Sequence, residues 1–182
     1  MIFTVAVGAA VFYSAKTGMY PVAIVNGKII LARELKGISA AAYNFYARAS
    51  ETYGGRKLEE ADTYKLSAEI GRAALDKLVE HELISGELRR RLPKTYAASV
   101  ERKLELSKRL NLQAAASGIY GLKMDDFVGS VLEPQAAQEV LSDDLKSHGG
   151  DFNVWLQEAK KQAKVIIFSA SYKWVNGSVE AR

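Results

Sequence analysis

The chain contains no cysteine among its 182 residues. Disulfides, thiolate metal sites and cysteine nucleophiles are therefore excluded, although the compartment stays open because many extracytoplasmic proteins also lack cysteine. Proline and glycine are scarce, at 3 and 14 residues, and lie mainly between periodic segments, as in a helical protein. With 48% hydrophobic and 25% charged residues the chain can bury a core, so we expect one domain, or one domain plus an anchor, rather than disorder.

A concentrated basic surface is also lacking. The net charge is +4, from 25 basic and 21 acidic residues, which is a mild bias compared with the basic stripe of a nucleic-acid-binding protein. The densest basic run, Arg89-Arg90-Arg91, falls at a predicted helix end, where positive charge suits the helix dipole. Only Tyr96 is close enough in sequence to stack on a base. We therefore expect no nucleic-acid partner.

No hydrophobic run is long enough to span a membrane. Residues 2–13 are uncharged and mostly apolar, but a membrane-spanning helix needs about 20 such residues, and a signal peptide needs a basic region before its apolar stretch. We interpret residues 1–18 as the tail of a membrane anchor or signal segment whose beginning lies outside this chain. The alternative is a buried strand or a short core helix.

Apolar residues recur at helical spacing through most of the chain. The clearest amphipathic segment ends at Pro93, and Asp151 is suited to be an N-cap. The predicted helices are residues 33–53, 64–92, 95–112 and 123–132, a helix from Pro134 to the loop at 148–150, and a last one from 151 to 163.

Strand patterns occur near both ends. Residues 22–31 form two β-branched runs around Asn26-Gly27, and Asn-Gly tolerates the positive φ angles of a type I′ hairpin turn. Residues 165–174 are β-branched and aromatic and predict a strand, whose backbone groups need a partner. We therefore predict a mainly α fold with a small β-sheet, in which the N-terminal hairpin pairs with the C-terminal strand. The domain would span residues 19–175, with 176–182 as a tail.

Several of these segments resemble the N-terminal domain of SurA, a periplasmic chaperone. Val25-Asn26-Gly27 between two short strands, followed by Arg33-Glu34-Leu35 at the start of a helix, is similar to the beginning of that domain. Residues 74–83 resemble its long helix, residues 121–132 a later segment with a short helix, and residues 155–167 its closing helix and strand. The resemblance covers residues 20–170.

The resemblance implies a function and a location. The chaperone core of SurA-like proteins holds unfolded or extracytoplasmic client segments, and many members also carry parvulin prolyl-isomerase domains. Nothing between Pro93 and Asp151 has the character of a parvulin domain. The resemblance thus implies a non-catalytic, ATP-independent chaperone-like domain whose partners are unfolded or partly folded polypeptides. It also implies an extracytoplasmic location, in the periplasm or at the cell surface, with residues 1–18 as the membrane anchor.

Catalytic and metal-binding motifs are not found. His81-Glu82 begins like the His-Glu-x-x-His motif of zinc proteases, but Ser85 replaces the second histidine, and His148 lies far away in a Gly-rich loop. The pairs Asp125-Asp126 and Asp143-Asp144 diverge by about 100° on a helix, so neither converges on a substrate. No serine-hydrolase elbow, Walker loop or dinucleotide fingerprint is present. We expect no enzyme activity, no metal and no cofactor.

The first predicted helix carries aromatic residues on more than one face, so a single buried stripe cannot hold them all. Phe and Tyr offer a large contact area at low rotamer entropy, which suits the binding of varied peptides. The alternative is that they pack against the other helices. We predict an apolar peptide-binding cradle formed by Tyr43, Phe45, Tyr46, Tyr53, Phe127, Val128 and Leu132.

Two other functions stay open at this point. One is a structural or assembly protein that keeps the fold but binds one specific protein partner, including a second copy of itself. The other is an enzyme whose site has no recognisable motif. Suppression of the aggregation of unrelated proteins would favour the chaperone, a single captured partner would favour the assembly protein, and a pocket with converging polar groups would favour the enzyme.

Overall fold

The computed structural model describes residues 17–54, 60–108 and 112–182, and for residues 52–54, 60–62, 107 and 108 it describes the backbone alone. Most of the predicted anchor segment, residues 1–16, lies outside the described residues. Within the described ranges the fold is mainly α-helical with a small amount of antiparallel β-sheet, as predicted.

The first and the last of the complete elements are strands, and the helices lie between them. In order, the elements are β1 (Pro21–Val25), β2 (Lys28–Leu31), α1 (Ala32–Gly54), α2 (Glu60–Arg91), α3 (Tyr96–Lys108), α4 (Gln113–Ala115), the π-helical turn π1 (Ala116–Tyr120), α5 (Met124–Phe127), the π-helical turn π2 (Val128–Leu132), α6 (Glu133–Ser147), α7 (Phe152–Gln162), β3 (Val165–Ile167), β4 (Tyr172–Val175) and β5 (Ser178–Ala181).

The two ends of the domain meet in one three-stranded sheet, in the order β2-β1-β3. Asn26 and Gly27 adopt φ angles of 48° and 85°, as the hairpin turn requires. On its other side β1 pairs antiparallel with β3, so that Ile24 faces Ile166. Asn26 also donates its backbone N–H to the carbonyl of Lys164 and accepts the N–H of Lys164 on Oδ1, both at 2.9 Å. The predicted pairing of hairpin and C-terminal strand is confirmed.

Residues 168–182 differ from the prediction. The segment predicted as one strand over residues 165–174 breaks after β3, and residues predicted as a tail form β5, which pairs antiparallel with β4. The turn between them, Asn176-Gly177, has φ angles of 49° and 89° and repeats the Val-Asn-Gly sequence of the first hairpin. Val179 is fully buried in the core. This second hairpin therefore belongs to the folded domain.

Residues 124–147 form one continuous helix rather than the two predicted ones. The backbone stays helical from α5 through π2 into α6, with Pro134 in the first turn of α6. Pro134 lacks the N–H that would bond the carbonyl of Ser130, and its ring crowds that carbonyl. The wide turn π2 lies directly before it and accommodates the missing bond.

Helix α2 runs through both main parts of the core. Its 32 residues make a rod of about 48 Å. The first cluster joins α2 to the sheet and the second hairpin, and includes Val25, Ile30, Leu75, Val79 and Val179. The second cluster joins α2 to α3, α6 and α7, and includes Ile84, Leu88, Val100, Leu141 and Phe152. One helix thus connects the sheet end of the molecule to its helical end.

A largely buried ion cluster holds the C-terminal elements on α2. Lys160 Nζ of α7 donates to Asp76 Oδ2 at 2.8 Å and to Glu80 Oε1 at 2.9 Å. Asp76 Oδ1 accepts the backbone N–H of Val179 at 3.2 Å, and Arg72 Nη1 donates to the Val179 carbonyl at 3.1 Å. At the start of α7, Asp151 is the predicted N-cap, and its Oδ1 accepts the N–H of Val154 at 2.9 Å.

Candidate peptide-binding surface

The predicted aromatic residues of α1 lie at its middle and at its end. Phe45 and Tyr46 are 39% and 51% exposed, whereas Tyr43 is half-buried. Tyr53 lies in the last turn of α1, where the structure describes the backbone alone. Two of the predicted residues therefore present large aromatic surfaces to solvent.

These side chains belong to a continuous aromatic row that we define as Tyr46, Phe45, Tyr120 and Phe127. Tyr46 meets Phe45 edge to face with ring centroids 5.6 Å apart, and Phe45 stacks on Tyr120 at 5.7 Å. Tyr120 then contacts Phe127 at 5.2 Å. The row connects two of the α1 aromatics, Phe45 and Tyr46, to Phe127, and the connection runs through Tyr120. Sequence reasoning missed Tyr120, because it lies in a break between glycines with no periodic neighbours.

A polar contact fixes Tyr120 against α1. Asn44 Nδ2 donates to the carbonyl of Tyr120 at 3.0 Å. The next residue, Gly121, has a φ of +65°, and a Cβ there would lie only 2.7 Å from Asn44 Nδ2. The turn after π1 therefore needs glycine both for its left-handed backbone and for its close approach to α1.

Two of the predicted cradle residues are core residues instead. Phe127 is 3% exposed and Leu132 is 9% exposed, and both pack around Ala116 in a third apolar cluster. With so little free surface, Phe127 cannot contact a client directly and supports the surface from below, whereas the exposed part of Leu132 lines a groove. Val128 is half-buried at the edge of the same cluster. Periodicity alone could not separate these cases, since all three residues lie in one short helical segment.

An open groove of about 440 Å³ adjoins the aromatic row. Its apolar lining comes from Leu112, Met124, Val128 and Leu132, which belong to the same cluster as Tyr120 and Phe127. The remaining lining residues are Asp125, Gly129 and Glu133. The groove therefore shares its supporting apolar cluster with the row, and it combines an apolar base with acidic side chains.

The residues considered from the sequence as possible metal ligands or catalytic groups do not come together in one site. His81 Nδ1 and Ser85 Oγ are buried on α2 and have no hydrogen-bond partner among the described residues. His148 is exposed at the far end of α6, beside Asp144, whose carboxylate pairs with Arg91. Arg91 is ten residues from His81 on α2, or about 15 Å. In the part of the chain that the structure describes, no three His, Asp or Glu side chains are grouped so as to hold a metal ion.

Neighbouring charges point to different partners. Asp143 pairs with Lys103 of α3 at 2.9 Å, while Asp144 pairs with Arg91 of α2, so this acidic pair diverges as predicted. Arg90 pairs with Glu87 at 2.6 Å, and Arg89 lies over the Tyr96 ring at 5.7 Å. The basic run at the end of α2 is therefore engaged within the molecule.

A second groove, of about 680 Å³, lies between the first hairpin turn, α2 and α7. Charges of both signs line it, among them Lys28, Glu82, Arg89 and Glu158. A lining with charges of both signs does not favour one chemical class of ligand. The aromatic row and the apolar groove beside it are therefore the better candidate site.

Comparison of the chain with protein-family models, with curated proteins and with solved structures gives no match. Across residues 17–54, 60–108 and 112–182, none of the helices has both the length and the apolar character needed to cross a membrane.

Proposed function

We propose that this chain is a non-catalytic, ATP-independent chaperone-like domain that binds unfolded or extracytoplasmic polypeptide segments. The observation that carries the proposal is the aromatic row, in which Phe45 and Tyr46 are exposed, together with the open apolar groove beside it. This surface combines rigid rings with an unfilled apolar space, which is what a binder of varied apolar segments needs.

The energetics favour weak and reversible binding. Each Å² of apolar surface that a client buries contributes about 25 cal/mol, and most of this gain is offset by the ordering of a flexible client. Phe45 and Tyr46 reduce that cost on the side of the protein, because each is already held by ring contacts within the row. Such a site needs neither ATP nor a covalent step.

The resemblance to the SurA N-terminal domain, described from the sequence above, also suggests where the domain works. We propose that the domain works outside the cytoplasm, in the periplasm or at the cell surface, and that residues 1–18 attach it to a membrane. Their apolar, uncharged composition from residue 2 to residue 13 supports this proposal.

The test is suppression of the aggregation of chemically unfolded, unrelated proteins, followed by light scattering. We expect the wild-type chain to suppress aggregation, and Tyr46→Ser to need about three to ten times more protein for the same effect, because the most exposed ring of the row is lost. Circular dichroism should be unchanged, since Tyr46 is 51% exposed.

Tyr64→Ser is the matched control. Tyr64 is 79% exposed at the start of α2 and belongs to neither the row nor the groove, so its replacement should leave suppression unchanged. Failure of the wild-type chain to protect any client, together with capture of one specific partner, would show instead an assembly protein with this fold.

A further inference from the structure

The groove beside the aromatic row carries charge of one sign. We propose that it accepts an apolar side chain of a client segment in which lysine or arginine flanks that side chain. This inference rests on the proposed function and adds the chemical class of the client.

The apolar part of the groove provides a seat for one side chain. Met124, Val128 and Leu132 line it from one continuous helix, and Leu112 closes it from the start of α4. A volume of about 440 Å³ exceeds what a single leucine or phenylalanine side chain fills, so backbone and neighbouring groups of a peptide fit as well. The groove is open to solvent, as an extended chain passing across it requires.

The charged residues of the groove are Asp125 and Glu133, and both are exposed. Among the described residues, neither carboxylate forms an ion pair. Other acidic side chains of the same helices do: Asp143 pairs with Lys103, and Asp144 with Arg91. A cation beside the bound apolar group would meet these carboxylates, whereas an acidic client would be repelled. The charge of the groove thus selects among apolar segments.

Gly129 keeps the mouth of the groove open. It lies in π2, and a Cβ added there meets nothing within 4 Å. A methyl group at this position is therefore accommodated without any shift of the fold. A large side chain would stand in the groove itself. This difference provides a matched pair of variants, Gly129→Trp to fill the groove and Gly129→Ala to leave it open.

The experiment compares two fluorescein-labelled peptides with one Leu-Phe-Leu centre, flanked either by lysines or by glutamates, in anisotropy titrations with the full 182-residue chain. We expect the lysine peptide to bind about fivefold more tightly at low salt, with the difference shrinking between about 0.05 M and about 0.5 M salt. The double variant Asp125→Asn, Glu133→Gln should lose this preference but keep apolar binding. Gly129→Trp should weaken both peptides at least fivefold, and Gly129→Ala neither.

Each contrary result has a distinct meaning. This inference is overturned if the two peptides bind with equal affinity, or if Gly129→Trp binds them as tightly as the wild-type chain. The chaperone proposal is then still tested separately by the aggregation assay. If the wild-type chain prevents aggregation but binds neither peptide, the inference alone fails. If Gly129→Trp converts an oligomer to a monomer in sedimentation while the peptides do not bind, a second copy occupies the groove, and the inference fails as well.

Discussion

Gly121 is a residue at which a left-handed backbone and a close contact both disfavour a side chain. Its φ of +65° is strained for any residue with a Cβ, and that Cβ would lie 2.7 Å from Asn44 Nδ2. We expect Gly121→Ala to lower the free energy of unfolding by about 1–3 kcal/mol. It should also weaken client binding, because the carbonyl of Tyr120 accepts from the same Asn44. Urea denaturation and the aggregation assay measure the two effects.

The control for this prediction is a glycine without such constraints. Gly86 lies within α2, and a Cβ there meets nothing within 4 Å. Gly86→Ala should therefore raise the free energy of unfolding by about 0.5–1 kcal/mol, as alanine does in a helix interior. Equal stability of the two variants would contradict the account of Gly121.

At the residue scale, local chemistry was predictable and tertiary contact was not. The turn at Asn26-Gly27 and the N-cap Asp151 depend on neighbouring residues alone, and both were predicted correctly. The exposure of Phe45 and the burial of Phe127 depend on which helix covers each ring. Tyr120, which joins them, could not be found, because its role rests on Asn44, 76 residues earlier.

At the scale of elements, the pairing of β1 with β3 was predictable because a lone strand must satisfy its backbone groups. The second hairpin was missed, although Val175-Asn176-Gly177 carries the same turn signal as the first. The aromatic and β-branched run before it resembles one long strand, and only the contacts of Tyr172 and Val179 with α2 reveal the break. The extension of α5 into α6 was missed because Pro134 normally starts a helix.

The register of β2 predicts that two adjacent isoleucines, Ile29 and Ile30, contribute very different amounts to stability. Ile29 faces Ile24 on the outer face and is 57% exposed, whereas Ile30 is turned to the core and is 1% exposed. We expect Ile30→Ala to cost about 2–4 kcal/mol of unfolding free energy, and Ile29→Ala less than about 1 kcal/mol. Urea denaturation of both variants measures this. A shift of one residue in the register would exchange the two values, so a reversed order would show that the sheet is paired differently.

At the scale of the whole molecule, α2 organises the fold through charge as well as through apolar packing. Lys160 of α7 meets Asp76 and Glu80 of α2, and Asp76 also holds Val179 of β5. Lys160 lies 84 positions from Asp76 and 80 from Glu80 in the chain, and acidic and basic residues are common on every helix. Nothing in the sequence distinguishes these three from solvent-exposed charges, so the cluster was not predicted. It couples the packing of α7 to that of the second hairpin.

The ion cluster makes stability depend on pH in a definite direction. Burial raises the pKa of Glu80, but the hydrogen bonds and charges of Lys77 and Lys160 outweigh it and hold the pKa below its ordinary value of 4.5. Burial likewise lowers the pKa of Lys160, yet its bonds to Asp76 and Glu80 raise it above 10.5. The contribution of Glu80 is therefore complete above pH 4.5 and is lost as the pH falls through its folded pKa. The contribution of Lys160 is complete below pH 10.5 and is lost at higher pH.

Glu80→Gln tests this assignment. The variant should be less stable by about 1–3 kcal/mol at pH 7, because Lys160 keeps its charge in a largely buried site but loses one of its two anionic partners. Below pH 4.5 the wild-type chain loses the same contribution, so the stabilities of the two proteins should converge in acid.

The control is Glu158→Gln, which breaks an exposed pair with Lys161 and should cost less than about 0.5 kcal/mol of unfolding free energy at any pH. Urea denaturation between pH 7 and the acid limit of folding measures all three chains. A constant difference between wild type and Glu80→Gln across that range would mean that the Glu80 carboxylate does not titrate with folding, and that its bond to Lys160 does not hold α7 on α2.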